Sequence, residues 1–215
     1  KSIIRIGASL DTFRPEGNDS EWRTRLNLNF TPIILSPRPF EPIYNIETIV
    51  AAIPYVLEKV EAHFVFKDNP ARGEPDQVYR TQLLQMISDL KIEQNFTYVG
   101  DVPYHEMASF YRMANVVVSM ALSDGVPVTL LEAMACGAPL VVGQIPHLNE
   151  FITHQRNALT VPVKDPQQLA AAIVQLLQDE MLRQEMIRAN FEWVQAYGNF
   201  ETEMAKMEAI YERIA

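Results

Sequence analysis

Cysteine is nearly absent. Cys136 is the single one in 215 residues, which excludes an intrachain disulfide framework and fits a reducing compartment. Its simplest role is that of a small buried apolar side chain. Positive charge is also scarce: 18 Lys and Arg against 27 Asp and Glu give a formal net charge of −9. That balance argues against a nucleic-acid-binding domain with its basic stripe, though not against a small basic patch around a phosphate. No apolar run approaches the ~18 residues of a membrane-spanning helix, and no signal-peptide pattern appears. The four histidines, His63, His105, His147 and His154, lack metal-ligand spacing, so no metal site is expected. His147 reads as a surface-loop residue, and Met181, Met186, Met204 and Met207 read as packing residues.

What is present is the 48% hydrophobic and 21% charged balance of an ordinary globular chain. Such a chain buries roughly 70% of its unfolded surface and needs no metal or disulfide staple. The opening KSIIRIGASLDTFRPEG reads as the interior of a longer sequence.

Short apolar runs recur along the chain and read as buried strands: 33–36 between two prolines, 63–66, 96–99 closed by Gly100, 116–118, 140–142 and 159–161. Stripes at helical spacing lie between them, over 44–60 with Pro54 expected to kink or interrupt it, 78–90, 104–113 and 129–136. Residues 68–75 read as turns, and the pattern after Pro166 is helical with breaks near Glu180 and Gly198-Asn199. Alternation of this kind predicts an α/β fold: a Rossmann-like, doubly wound parallel sheet of about six strands with helices on both faces. Ligands of such sheets sit at the carboxyl ends of the strands, which directs attention to Arg38, Lys67, 100–103 and 119–128.

The segment SMALSDGVPVTLLEAMACGAPLVV, 119–142, carries the most chemistry. A strand, a loop with Ser123, Asp124, Gly125 and Pro127, and a helix start near Thr129 place free backbone N–H groups at the sheet edge, an anion site that needs no basic side chain. Thr129 and Glu132 have the spacing of a capping box. Gly137 and Pro139 end the helix. Asp124 and Glu132 flank the helix start, and their carboxylates can accept hydrogen bonds from sugar or ribose hydroxyls. Each also has a purely structural reading: Asp124 as a turn residue and Glu132 as part of the cap.

The segment resembles the signature of glycosyltransferase family 4 (glycosyltransferases group 1): an acidic residue, seven others, then Glu, within a string like SxxEGFPxxxLEAMAxGxPVV. Here the acids are Asp124 and Glu132, followed by AMACGAPLVV. Four further stretches resemble that family in the same order: IGASLDTFRPEG, LSPRPFEPIYNIETIVAAI, FTYVGDVPYHEMASFYRMANVVVSM and QIPHLNEFITHQRNALTVPVKDPQQLAAAI. The resemblance covers essentially the whole chain and implies the C-terminal half of a GT-B fold. It divides the chain into a lead-in segment over 1–30, one nucleotide-sugar-binding domain, and a C-terminal helix over 199–215. The acceptor then belongs to an N-terminal domain outside this sequence.

By that resemblance, Glu132 binds ribose hydroxyls and Asp124 lies beside the transferred sugar. Backbone groups of Val128, Thr129 and Leu130, with Ser123 and Gly125 in the preceding loop, hold the diphosphate. Arg38 meets it from the other side, and the base lies near Gly100 and Val102. The implied activity is retaining, metal-independent transfer of a hexose from a UDP-, GDP- or ADP-sugar to an acceptor hydroxyl, with no cofactor. The implied location is cytoplasmic, with peripheral membrane association open to the full-length protein, and the isolated 215 residues are expected to be inactive. Three positions depart from the pattern: Asp124 replaces the commoner Glu and is shorter by about 1.5 Å; PFEPIYN holds no lysine after Arg38, and Lys67 after the second strand reads either as its substitute or as a solvated lysine; and the usual GDGP is KDNP. An epimerase-like enzyme and a non-catalytic nucleotide-sugar-binding module are the alternative readings.

Overall fold

The computed structural model describes residues 4, 6–18, 20–68 and 74–214. Its sheet is built from β1 (Ile33–Ser36), β2 (His63–Lys67), β3 (Phe96–Val99), β4 (Val116–Ser119), β5 (Leu140–Gly143) and β6 (Leu159–Val161). The strand order is β3-β2-β1-β4-β5-β6, and each neighbouring pair is parallel. This is the doubly wound, Rossmann-like arrangement that the strand–helix alternation predicts.

The strands are short, and β1, β4 and β5 are buried at every position because both faces of the sheet are covered. Side chains alternate between the faces. Ile33, Leu35, Val65, Val117, Leu140 and Val142 point into one core layer, whereas Ile34, Phe64, Phe66, Val116, Val118 and Val141 point into the other. The first layer is closed by α4 (Met107–Arg112), α5 (Val128–Ala135) and the Val194 turn of α7 (Glu180–Tyr197). The second is closed by α2 (Ile46–Leu57), α3 (Glu74–Leu90) and α6 (Pro166–Gln178). A short α1 (Ser20–Arg25) precedes the sheet and α8 (Phe200–Ile214) follows it. Cys136 is buried and free, and burial pushes its thiol up to about 12.

Three local expectations need adjustment. α2 runs unbroken past Pro54 and stops at Leu57. The proline therefore lies in the last turn, and the missing N–H interrupts little of the helix. The 104–113 stripe divides into a 3-10 turn (Tyr104–Glu106) and α4. The turn predicted over 68–75 lies mostly outside the described residues, and α3 already begins at Glu74.

β1 winds outward to β2 and β4 winds outward to β5, so the loops after β1 and β4 diverge and leave a crevice between them. Asn45 holds this region together. It sits in the left-handed region at φ 51°, a conformation asparagine tolerates, and leads into α2. Its Nδ2 donates to the carbonyls of Met120 at 3.1 Å and of Val163, and its Oδ1 accepts from Thr48 Oγ1 at 2.7 Å. One buried side chain thus ties the loops after β1, β4 and β6 together. Asn45→Ala should lower unfolding free energy by about 2–4 kcal/mol, through stranded buried carbonyls and an unfavourable φ. Urea denaturation measures this, and a loss within experimental error would show that these bonds do not carry the junction.

Candidate functional site

Arg38 stands two residues beyond β1, at the mouth of the crevice, with only 9% of its side chain exposed. A guanidinium withdrawn this far from water needs partners. Nη2 donates to Asp124 Oδ2 at 2.7 Å, Nη1 donates to Thr129 Oγ1 at 2.8 Å, and the guanidinium carbon lies 4.0 Å from the Tyr44 ring centroid. A fork bonded at its tip and stacked on an aromatic face is a geometry that arginine can make and lysine cannot. Nε–H is buried and has no partner among the described residues, so the cation retains donor capacity. Arg38 therefore bridges β1 to the loop and helix that follow β4.

The first turn of α5 differs from the capping box read from Thr129 and Glu132. The helix begins one residue earlier, at Val128, with Pro127 as its N-cap and no side-chain cap bond. Pro127 offers its carbonyl to the N–H of Leu130 at 2.9 Å and of Leu131 at 3.3 Å. Thr129 Oγ1 is turned to Arg38 and Glu132 to Tyr111, so neither serves as a cap. The N–H groups of Val128 and Thr129 are left without intramolecular partners among the described residues, the feature that makes a helix start attractive to anions. At the other end, Gly137 at φ +74° closes the helix. Its N–H donates to Met134 O and that of Ala138 to Ala133 O, a Schellman pair.

Glu132 is 9% exposed, and its Oε2 accepts from the fully buried Tyr111 hydroxyl at 2.9 Å. Burial pushes its carboxyl up to about 7, although the Tyr111 bond and the Lys67 charge both favour the anion. The same burial, reinforced by the Glu132 charge, drives the Tyr111 phenol well above its usual range. Glu132 Oε1 has no partner among the described residues. Tyr104 lies at the rim, where desolvation and the charges of Glu132 and Glu201 raise its phenol.

The remaining expected residues line the same edge. Asp124 Oδ1 accepts from the Gly125 N–H at 2.9 Å, so the local turn and the Arg38 ion pair share one carboxylate. Ser123 and Gly125 are exposed in that loop. Beyond β3, a Cβ on Gly100 would meet nothing within 4 Å, whereas Val102 is buried in the core beneath the loop. Lys67 ends β2 with its Nζ 4.0 Å from Asp101 Oδ1. His147 is exposed in the 3-10 turn after β5. Among the described residues, no cluster of three His, Cys, Asp or Glu side chains could hold a metal ion, and no helix is long and apolar enough to cross a membrane.

Two participants escape a reading of the sequence. Tyr44 and Tyr111 sit in stretches where an aromatic residue fits an ordinary helical stripe or turn. Only the fold shows Tyr44 beneath Arg38 and Tyr111 against Glu132.

A doubly wound parallel sheet with a cation, an uncapped helix start and a buried carboxyl at its switch point is a Rossmann-like α/β domain with its crevice at the carboxyl ends of the strands. The chain belongs to the glycosyl transferases group 1, whose family model matches residues 18–193. Its fold matches that of GT-B enzymes. It is 27% identical to sucrose-phosphate synthase of Thermosynechococcus elongatus, with a TM-score of 0.87 over 98% of this chain and 52% of that one. It also shares the fold of Anabaena Alr3699/HepE, solved in complex with UDP-glucose, at 16% identity and a TM-score of 0.89 over 99% of this chain and 57% of that one. Among sequence relatives, it is 25% identical to the GDP-mannose-dependent alpha-(1-6)-phosphatidylinositol monomannoside mannosyltransferase of Mycobacterium tuberculosis, over 94% of this chain and 53% of the relative. The chain thus spans about half the length of the curated relatives it matches.

The Glu132 carboxyl has a consequence for stability. Unfolded, it ionises near 4.5, and folded near about 7. Between these values the folded chain retains a proton that the unfolded chain has released, so this group's contribution falls as pH rises and levels off above about 7. The penalty approaches about 3 kcal/mol. Glu132→Gln keeps an acceptor for Tyr111 and removes the titration. Urea midpoints at pH 5 and pH 8 should show the variant losing less stability than wild type across that interval, and parallel losses would refute the assignment.

Proposed function

We propose that the chain is the donor-binding domain of a retaining, metal-independent glycosyltransferase, completed by an N-terminal domain that binds the acceptor. The observation that carries this reading is the convergence of Arg38, the unpartnered N–H groups of Val128 and Thr129, and Glu132 on one crevice. The donor diphosphate lies on the α5 start, with Arg38 on its flank. The ribose hydroxyls donate to Glu132 Oε1, the base extends along Gly100 to Val102, and the transferred sugar lies beside Asp124. UDP-glucose in a protein of the same fold and a GDP-mannose-dependent relative support a nucleotide-diphosphate sugar as donor.

The reaction breaks the bond between the anomeric carbon and the β-phosphate oxygen and forms one to the acceptor oxygen on the same face. The acceptor proton passes to the departing phosphate. Negative charge grows on that phosphate as the bond breaks, and a preorganised guanidinium with two free N–H groups beside it is the arrangement that stabilises such charge. Arg38 is already fixed by Asp124, Thr129 and Tyr44, so little reorganisation accompanies the chemistry. The protein contributes positioning and electrostatics, and no side chain of the chain need act as nucleophile.

Calorimetric titration with UDP, GDP, ADP and their sugars tests this reading. One nucleotide should bind, and Arg38→Ala should weaken the diphosphate by about 10- to 100-fold, the loss of a charge-assisted contact. Glu132→Ala should weaken ribonucleotides more than their 2′,3′-dideoxy counterparts. The 215 residues alone should transfer no sugar, and the full-length protein should yield a product of retained anomeric configuration. Absence of nucleotide binding by both the chain and the full-length protein would refute the proposal, as would transfer by the chain alone.

A further inference from the structure

Asp124, Thr129 and Tyr44 fix Arg38 at the tip of a long side chain. The backbone that carries it is held from elsewhere. Pro39 brings no N–H, so the first backbone donor beyond Arg38 is that of Phe40. This N–H is buried and donates to Asp68 Oδ1 at 3.2 Å, which links the segment after β1 to the residue that follows β2. The Phe40 ring packs edge-on against Phe66, with 5.9 Å between centroids. Only 5% of the Asp68 side chain is exposed, and a carboxylate so withdrawn needs partners. Its Oδ2 accepts a charge-assisted bond from Arg80 Nη1 on α3, and its own N–H donates to Val99 O at 2.9 Å. The Arg80 guanidinium also lies over the Tyr98 ring, 4.6 Å from its centroid. One carboxylate thus joins the segment that carries Arg38 to α3.

The preceding residue of α3 acts at the far end of the same segment. Tyr79 Oη accepts from the Ile46 N–H at 2.9 Å and donates to Glu47, so it holds the start of α2. The stretch from Phe40 to Ile46 is therefore fixed by α3 at both ends, through Asp68 at one and directly at the other. Tyr44, the ring beneath Arg38, lies within it. A diphosphate in the crevice draws on the guanidinium that Asp124 and Thr129 hold, so the tip contacts are shared with the ligand. The bond from Phe40 to Asp68 is not. We propose that Asp68, oriented by Arg80, is a positioning residue for Arg38: it fixes the segment from which the guanidinium reaches the donor diphosphate. This rests on the donor-site reading above. Asp68 acts through the Phe40 N–H and is itself no ligand of the phosphates, which its charge would repel.

The test uses the 215-residue chain, with UDP, GDP and ADP titrated by calorimetry and the matching nucleosides by NMR chemical shifts. Asp68→Ala should weaken the diphosphate by about 10-fold and the nucleoside by less than about 2-fold. Asp68→Asn, which keeps an acceptor for Phe40, should recover most of the loss. In an Arg38→Ala background, Asp68→Ala should cost less than about 2-fold more, because a residue that acts through Arg38 then has nothing left to position. Thermal melts report whether each variant is folded. Should Asp68→Ala not fold, Arg80→Gln takes its place: it frees the Asp68 carboxylate to turn, should weaken the diphosphate by about 3-fold, and should lose that effect once Arg38 is alanine. Equal losses for diphosphate and nucleoside in Asp68→Ala, losses that add to that of Arg38→Ala, or an Asp68→Asn variant as weak as Asp68→Ala would overturn the proposal. A wild-type chain that binds no nucleotide overturns the donor-site reading itself, whereas a wild-type chain that binds alongside an unaffected variant overturns only the role of Asp68.

Discussion

The geometry of the site depends on one bridge, the Arg38 guanidinium joining β1 to the loop and helix after β4. The two strands are neighbours, but the chain leaves them in opposite directions, and the crevice between their ends exists because of that divergence. A gap at a sheet edge exposes backbone and invites collapse or rearrangement. Arg38 spans it with hydrogen bonds to Asp124 and Thr129 and a face on Tyr44. Asn45 reinforces the same junction from beneath by binding carbonyls beyond β4 and β6. Glu132 is then placed because α5 is placed.

Such a buried ion pair is not a source of stability in itself. Desolvating a guanidinium and a carboxylate costs about what their attraction returns, whereas removing one partner leaves a charge stranded. What the pair supplies is orientation. Asp124 is short, and its carboxylate is bonded both to Arg38 and to the Gly125 N–H, so the loop after β4 is held at both ends of one side chain. A glutamate at this position would reach about one carbon–carbon bond further and would hold the loop differently.

The sheet was legible because its signals are strong and local. Runs such as Val116-Val117-Val118, unbroken in β-branched residues and flanked by turn residues, admit few alternatives, and Gly137 with Pro139 ends α5 where the sequence suggests. The site was legible in part. Arg38, Asp124 and Glu132 could be singled out from motif spacing, but spacing does not say what a side chain touches. Thr129 and Glu132 have the pattern of a cap, and the pattern misleads because Pro127 starts the helix a residue sooner and turns both side chains elsewhere. Tyr111 and Tyr44 look like packing residues along the chain, since a phenol's polar partner can lie on any element that the fold brings near. Lys67 stands 29 positions beyond Arg38, and only the parallel pairing of β1 with β2 makes them neighbours.

The Glu132 carboxyl, held near neutrality by burial, makes the site a proton acceptor as well as a ligand acceptor. A carboxylate accepts hydrogen bonds from a ligand's hydroxyls more strongly than a carboxylic acid does, so a ligand that favours the anion displaces a proton at neutral pH from the fraction of molecules that holds one. That proton goes to the buffer. The heat measured on binding then contains the ionisation enthalpy of whichever buffer is present, and two laboratories using phosphate and Tris would record different enthalpies for one and the same association.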